Sequence, residues 1–227
     1  MRLHICENES EVADVAATAI AEALASALND RSSATLALSG GSTPEATFVR
    51  LAEQPVDWPR VHIVQVDERV AGEFDGARNL AMQRDALIGR VEVASLTPMP
   101  VGDANLARAA FDYNEELAEL SGDPVRIDVV QLGLGSDGHT ASLIPGDVAL
   151  DIDDRDVAIS SPYQGRVRMT LTGRALRNAH HRVWVVTGES KRDSLAGVAD
   201  GDPSLPATAV MGEDDLVVVD RAAAGPA

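Results

Sequence analysis

A chain of 227 residues with a formal net charge of −17 is unsuited to nucleic acid or an anionic membrane surface, since both are bound through clustered Lys and Arg. No apolar run approaches the roughly 20 residues of a membrane-spanning helix. Glu7, Glu9, Glu11 and Asp14 interrupt any secretory leader, so a cytoplasmic location is expected. The single cysteine, Cys6, leaves no internal disulfide and no cysteine-rich metal site, and is read as a small residue of the first strand.

No Pro- or Gly-rich linker divides the chain, so residues 1–227 are expected to form one domain. Leu3 to Ile5 suits a short edge strand. From Glu9 to Asn29, Val12, Val15, Ala16, Ala19, Ile20, Ala23, Leu24 and Ala27 recur at helical spacing. Ala34 to Leu38 is a buried-type strand, followed by Ser39, Gly40, Gly41, Ser42, Thr43 and Pro44 and then a helix from about Glu45 to Glu53. The glycines free the turn, Ser42 or Thr43 can cap the helix, and Pro44 suits its first turn. Backbone N–H groups would then converge on an anion. The alternative is an ordinary capped helix with Ser42 and Glu45 as a capping box.

Val61 to Val66 is the next strand, ending in the charged loop Asp67, Glu68, Arg69 and Val70. In a parallel sheet this loop lies at the ligand-binding carboxyl edge. Arg69 can fork onto a phosphate, with Asp67 or Glu68 holding its guanidinium. Ala81 to Ile88 reads as a helix, Pro98 and Pro100 mark a loop, and Ala104 to Leu120 is an amphipathic helix; these are scaffold.

Ile127 to Leu132 is apolar enough for a strand buried on both faces, and it runs into Gly133, Gly135 and Gly138. Such glycines let the backbone turn and approach a ligand closely. Ser136, Asp137, His139, Thr140 and Ser142 add an acid, an imidazole and three hydroxyls. The spacing also spells G-x-G-x-x-G, but Pro145 stops any helix from Thr140 after one turn and Asp137 would sit beside the phosphates, so a dinucleotide site is set aside. Asp137 either orients the imidazole or accepts backbone hydrogen bonds in the turn.

Beyond the acidic loop from Asp147 to Asp156, Val157 to Ile159 is a short strand, and Tyr163 is read as a pocket-rim or surface aromatic. Arg166, Arg168, Thr170 and Thr172 share one face of an alternating strand. His180 and His181 are expected to be exposed. Val183 to Val186 is a strand leading to Gly188 and to Lys191, the only lysine of the chain and therefore a candidate for a site that needs a compact ammonium. Pro206 to Val210 and Leu216 to Val219 are expected as late strands.

The segment Gly133-Leu-Gly-Ser-Asp-Gly-His-Thr-Ala-Ser-Leu-Ile-Pro-Gly146 closely resembles the signature of the 6-phosphogluconolactonases, which hydrolyse 6-phosphogluconolactone in the pentose phosphate pathway. Ser39 to Pro44 resembles their SGGSTP loop, and Asp67 to Arg69 their DER motif. Arg168 to Thr172 is similar to R-x-T-L-T, Val186 to Lys191 to V-T-G-x-x-K, and Asp220 to Ala224 to a terminal acid-x-alanine pattern. Gly72 to Gly76 departs from the family pattern. Arg78-Asn79 resembles its serine–asparagine pair with arginine in the serine position, and neither residue is counted as a contact.

The resemblance implies an α/β fold: a single-domain, open, mostly parallel sheet flanked by helices, modified Rossmann-like, of the sugar-phosphate isomerase/lactonase type. It implies His139 as the base that activates water, with Asp137 beside it. Ser39, Gly40, Gly41, Ser42, Thr43, Asp67, Arg69, Gly135, Gly138, Arg168 and Lys191 would bind the substrate and its phosphate, and backbone N–H groups of the glycine turn are candidates for the oxyanion. No cofactor or metal is expected; the partner is a small sugar-phosphate lactone, and the chain is expected to be a monomer, with a weak homo-oligomer as the alternative. One competing reading is an amino-sugar-phosphate isomerase/deaminase, which resembles D-G-H-I-A-F-N-E-P here; its acid lines up with Ile144. Another is a non-catalytic sugar-phosphate sensor, which His139 argues against.

Overall fold

The structure, a computed structural model, describes residues 1–72 and 75–225, so residues 73 and 74 of the divergent loop from Gly72 to Gly76 lie outside it. The chain opens with β1 (Arg2–Cys6) and α1 (Glu9–Asp30), where the Asn8 side chain accepts from the Glu11 N–H and Glu9 and Glu11 occupy the first turn, as the helix dipole favours. Next come β2 (Ala34–Leu38), buried at all five positions, and α2 (Ser42–Ala52). The following strand, β3 (Val61–Gln65), leads into β4 (Asp67–Arg69), α3 (Asn79–Ala86), β5 (Ser95–Thr97) and α4 (Leu106–Ser121).

The central motif begins with β6 (Val129–Leu132), again wholly buried. After it come β7 (Val157–Tyr163), β8 (Arg166–Leu171), α5 (Gly173–Asn178), β9 (His181–Val186), α6 (Arg192–Ala199), α7 (Pro206–Val210), β10 (Leu216–Asp220) and α8 (Arg221–Ala224).

Seven strands form one parallel sheet in the order β1-β10-β9-β6-β2-β3-β5. The two wholly buried strands β2 and β6 lie side by side, and the chain leaves them in opposite directions, towards β3 from one and towards β9 from the other. This is a topological switch point, where the loops after two neighbouring strands diverge and open a crevice. Ala16, Ile20, Leu24, Phe48 and Leu51 pack on one face of the sheet, and Tyr113, Leu117, Leu132 and Trp184 on the other. Met169 and Leu171 of β8 join the second core, which docks the smaller sheet on that face.

Two expectations are corrected here. Asp67 to Arg69 is a strand, not a loop: it pairs antiparallel with β8 in a three-stranded sheet of order β4-β8-β7. Pro206 to Val210 is a helix, started by Pro206 in its first turn and anchored by the Ala207 N–H, which donates to the Gly138 carbonyl at 2.9 Å.

The step from β3 to β4 depends on Glu68, which is fully buried. Its carboxylate accepts from the backbone N–H groups of Arg69 (2.8 Å), Asn79 (2.7 Å) and Leu80 (2.9 Å) and from Gln65 Nε2 (3.0 Å), while Arg78 Nε lies 3.4 Å away. Burying a carboxylate is costly unless it is bonded in this way. Glu68→Ala would strand the buried Arg78 guanidinium and three amides, so it should destabilise the protein by roughly 3–5 kcal/mol. Urea denaturation of the variant against wild type checks this; a change under about 1 kcal/mol, no more than an average substitution costs, contradicts it.

Candidate active site

The loops after β2, β6 and β9 and the strands β4 and β8 enclose a cavity of about 260 Å³. Its lining includes Ser39 to Pro44, Asp67, Arg69, Asn79, Gly133 to Gly135, His139, Ala141, Arg168, Thr187 and Lys191. Residues from Ser39 to Lys191 therefore meet at the carboxyl edge of the parallel sheet.

His139 Nδ1 lies 2.6 Å from Asp137 Oδ1. A carboxylate can only accept, so Nδ1 carries a proton, and in the neutral imidazole the basic nitrogen is Nε2. Asp137 also takes the second role expected of it, accepting from the His139 N–H at 3.2 Å. Burial opposes its charge, but the hydrogen bond and charge of His139, that N–H and the Tyr163 hydroxyl outweigh it and hold the carboxyl below its ordinary value.

Gly135 is required by packing, since a Cβ there would lie 2.1 Å from His139 Nδ1. Gly138 is required by its φ of 79° and by Leu205, which a Cβ would meet at 2.6 Å. Gly133 meets neither demand: its φ is not positive and nothing lies within 4 Å of an added Cβ. Two N–H groups of this turn are engaged within it: the Gly135 N–H donates to His139 O (2.7 Å) and the Gly138 N–H to Gly135 O (3.0 Å).

The cations come from three elements. Arg69 and Arg168 are directly opposite each other across β4 and β8, and the Nε of each is buried without a hydrogen-bond partner among the described residues. Like charges in register on facing strands repel. Burial pulls the Arg168 guanidinium below its ordinary value, and Arg69 adds to the effect although Asp67 opposes it. Among the described residues neither Asp67 nor Glu68 hydrogen-bonds the Arg69 guanidinium, contrary to expectation; its Nη1 donates to the Ala77 carbonyl at 2.6 Å. Asp67 is buried, which raises its carboxyl, and it accepts from Ser142 Oγ at 2.6 Å. Lys191 follows the turn after β9, where the Gly188 N–H donates to both oxygens of Asp220 at 3.1 Å. The same carboxylate caps α8 through the Ala223 N–H.

The loop after β2 differs in detail from its sequence reading. Gly41, with a φ of 115°, is the N-cap of α2, and no side chain caps its first turn, so the Ser42–Glu45 box does not form. Thr43 Oγ1 is 3.1 Å from Thr187 Oγ1, tying this loop to the one after β9. Ser39 lines the cavity, but its hydroxyl donates to Gln131 Oε1 at 2.6 Å.

Residues 7–218 match the family described as glucosamine-6-phosphate isomerases/6-phosphogluconolactonase. The chain belongs to this family. A 6-phosphogluconolactonase of Synechocystis sp. is 32% identical over 219 residues, 92% of this chain and 91% of its own. One from Rhizobium meliloti is 34% identical over 219 residues, covering 92% and 93%. The solved structure of 6-phosphogluconolactonase from Trypanosoma cruzi superposes with a TM-score of 0.88 at 27% identity, over 98% of this chain and 95% of that one.

In this member of the glucosamine-6-phosphate isomerase/6-phosphogluconolactonase family, the lining residues that sequence missed include Thr187, Ala141 and Asn79. Ala141 adopts a φ of 52°, unusual for a residue with a Cβ. Asn79 donates through Nδ2 to Asp67 O at 2.8 Å, leaves its buried Oδ1 without a partner among the described residues, and packs against Gly40 so closely that a Cβ there would lie 1.8 Å from Oδ1. Gly40→Ala should therefore cost roughly 1–3 kcal/mol of stability by overpacking. In an Asn79→Ala background, which clears the space, the same change should cost less, and a double-mutant cycle by denaturant melts measures the difference. Equal costs in both backgrounds would show that the contact does not limit this position.

Proposed function

We propose that residues 1–227 form a single lactonase domain that hydrolyses 6-phosphogluconolactone to 6-phosphogluconate, a step of the pentose phosphate pathway, in the cytoplasm. The observation that carries this reading is one cavity whose wall brings His139, bonded behind it to Asp137, together with Arg69, Arg168 and Lys191. The names of the relatives support it, and Ile144, buried where the deaminases would carry their acid, leaves that alternative without its carboxylate.

The lactone enters with its phosphate held by Arg69, Arg168, Lys191 and the first turn of α2. A dianion approaching a protein of net charge −17 requires such local concentration of cations. His139 Nε2 takes a proton from water as the water oxygen attacks the lactone carbonyl, and the charge on the imidazolium is balanced by Asp137. The tetrahedral intermediate collapses by breaking the bond to the ring oxygen, which leaves with the proton from His139 and becomes a hydroxyl. Water and lactone thus give the hydroxy acid. Among the described residues no group of three or more His, Cys, Asp or Glu is arranged to hold a metal ion.

Generating the lactone in situ and following acid release tests the activity; no acceleration over spontaneous opening by catalytic amounts of protein would sink the reading. His139→Ala should lower kcat by roughly 10²–10⁴-fold while leaving product binding intact, since a general base acts in the transition state. Lys191→Ala should depress kcat/KM for the phosphorylated lactone far more than for the unphosphorylated one. Equal losses on the two substrates would remove Lys191 from the phosphate site.

A further inference from the structure

Tyr163 is the last residue of β7, and the turn that follows it, Gln164 (φ 52°) and Gly165 (φ 78°), reverses the chain into β8. Its cross-strand partner is Arg166, whose Nη1 pairs with Asp75 Oδ2 at 2.9 Å. The tip of this hairpin is therefore tied to the segment after β4, independently of the glycine turn that carries His139.

From that position Tyr163 makes three contacts. Its hydroxyl donates to Asp137 Oδ2 at 3.0 Å, the oxygen that His139 does not use. Its ring stands edge-on to the His139 ring, with centroids 5.4 Å apart and planes at 63°. Its face carries the Arg168 guanidinium, 5.1 Å from the ring centre. One side chain thus touches both members of the acid–imidazole pair and one of the two facing arginines.

We propose that Tyr163 is a positioning residue: it locks the second oxygen of Asp137, so that His139 presents Nε2 to the substrate in one orientation, and couples that orientation to the Arg168 end of the cavity. This rests on the function proposed above. A carboxylate held through one oxygen can swing about its Cβ–Cγ bond, and the imidazole bonded to it swings too; a donor on the other oxygen removes that freedom. The donor also draws charge from the carboxylate and so limits how strongly Asp137 favours protonated His139. Burial, followed by the hydrogen bond to and the charge of Asp137, raises the Tyr163 hydroxyl above its ordinary value, which keeps its proton available for donation.

Tyr163→Phe removes the hydroxyl and keeps both ring contacts. The other charged groups around the pair are Arg168 on β8, Asp67 and Arg69 on β4, and Lys191 after β9, and none of them is altered. The variant should lose about tenfold in kcat, the loss expected for one hydrogen bond to a charged group, with KM within about twofold of wild type. In the free protein the His139 imidazole resonance, assigned by its loss in His139→Ala, should titrate at a higher pH in Tyr163→Phe than in wild type, because Asp137 then carries its full charge. Tyr163→Ala should also raise KM, since Arg168 loses the ring beneath it.

An unmoved His139 midpoint in folded Tyr163→Phe overturns the proposal whatever kcat does, as does an unchanged kcat. If the wild-type protein fails to accelerate lactone opening, the proposed function falls, while the resonance measurement still decides whether Tyr163 governs the pair.

Discussion

The Glu68 carboxylate is the point on which the architecture of the cavity turns. It has no contact with water and satisfies itself on amides from two elements, the Arg69 N–H on β4 and the Asn79 and Leu80 N–H groups that open α3. A helix start and a strand are thereby fixed to a single side chain, and the orphan donors of the helix are satisfied by a residue eleven and twelve positions away. Gln65 extends the arrangement, giving one Nε2 hydrogen to Glu68 and another to Gln83, and accepting from the Met99 N–H. Asp67, Arg69 and Asn79, all in the cavity wall, take their places from this network.

The cavity itself follows from parallel pairing. Because β2, β6 and β9 run the same way, the glycine loop before α2, the turn that bears His139 and the turn before Lys191 all arrive at one edge. The small antiparallel sheet then closes the other side with charged residues that could not face a hydrophobic core. Asp67, Glu68 and Arg168 are buried, the two carboxylates hydrogen-bonded and the guanidinium set over the Tyr163 ring, so that side of the cavity is polar at depth while Met169 and Leu171 anchor the same strand in the core.

Much of this was legible in the chain. β2 and β6 announce themselves as apolar runs, interrupted only by Thr35 and Gln131, that lead into glycine-rich turns, and α1 by its recurring alanines and aliphatics. The Asp137–His139 pairing follows from two residues in one short turn. What could not be read was carried by distant partners. Three consecutive charges at Asp67 to Arg69 look like a solvated loop, and only Ser142 and the start of α3 make them a strand. Pro206 to Val210 has the small and β-branched composition of an edge strand, but Leu205 packing on Gly138 and the Ala207 N–H on its carbonyl settle it as a helix. Tyr163 reaches Asp137 across 26 positions, a relation that no local pattern encodes.

The near-total use of arginine has a chemical consequence. Of 19 basic residues one is a lysine. A guanidinium stays protonated and is a poor nucleophile, whereas an amine attacks activated esters. If the substrate is a lactone, it is an acylating agent for every free amine it meets, and this chain offers it a single side-chain amine, lying in the wall of the cavity where the phosphate would cover it. Outside that cavity, only the α-amino group would then be open to acylation by such a substrate.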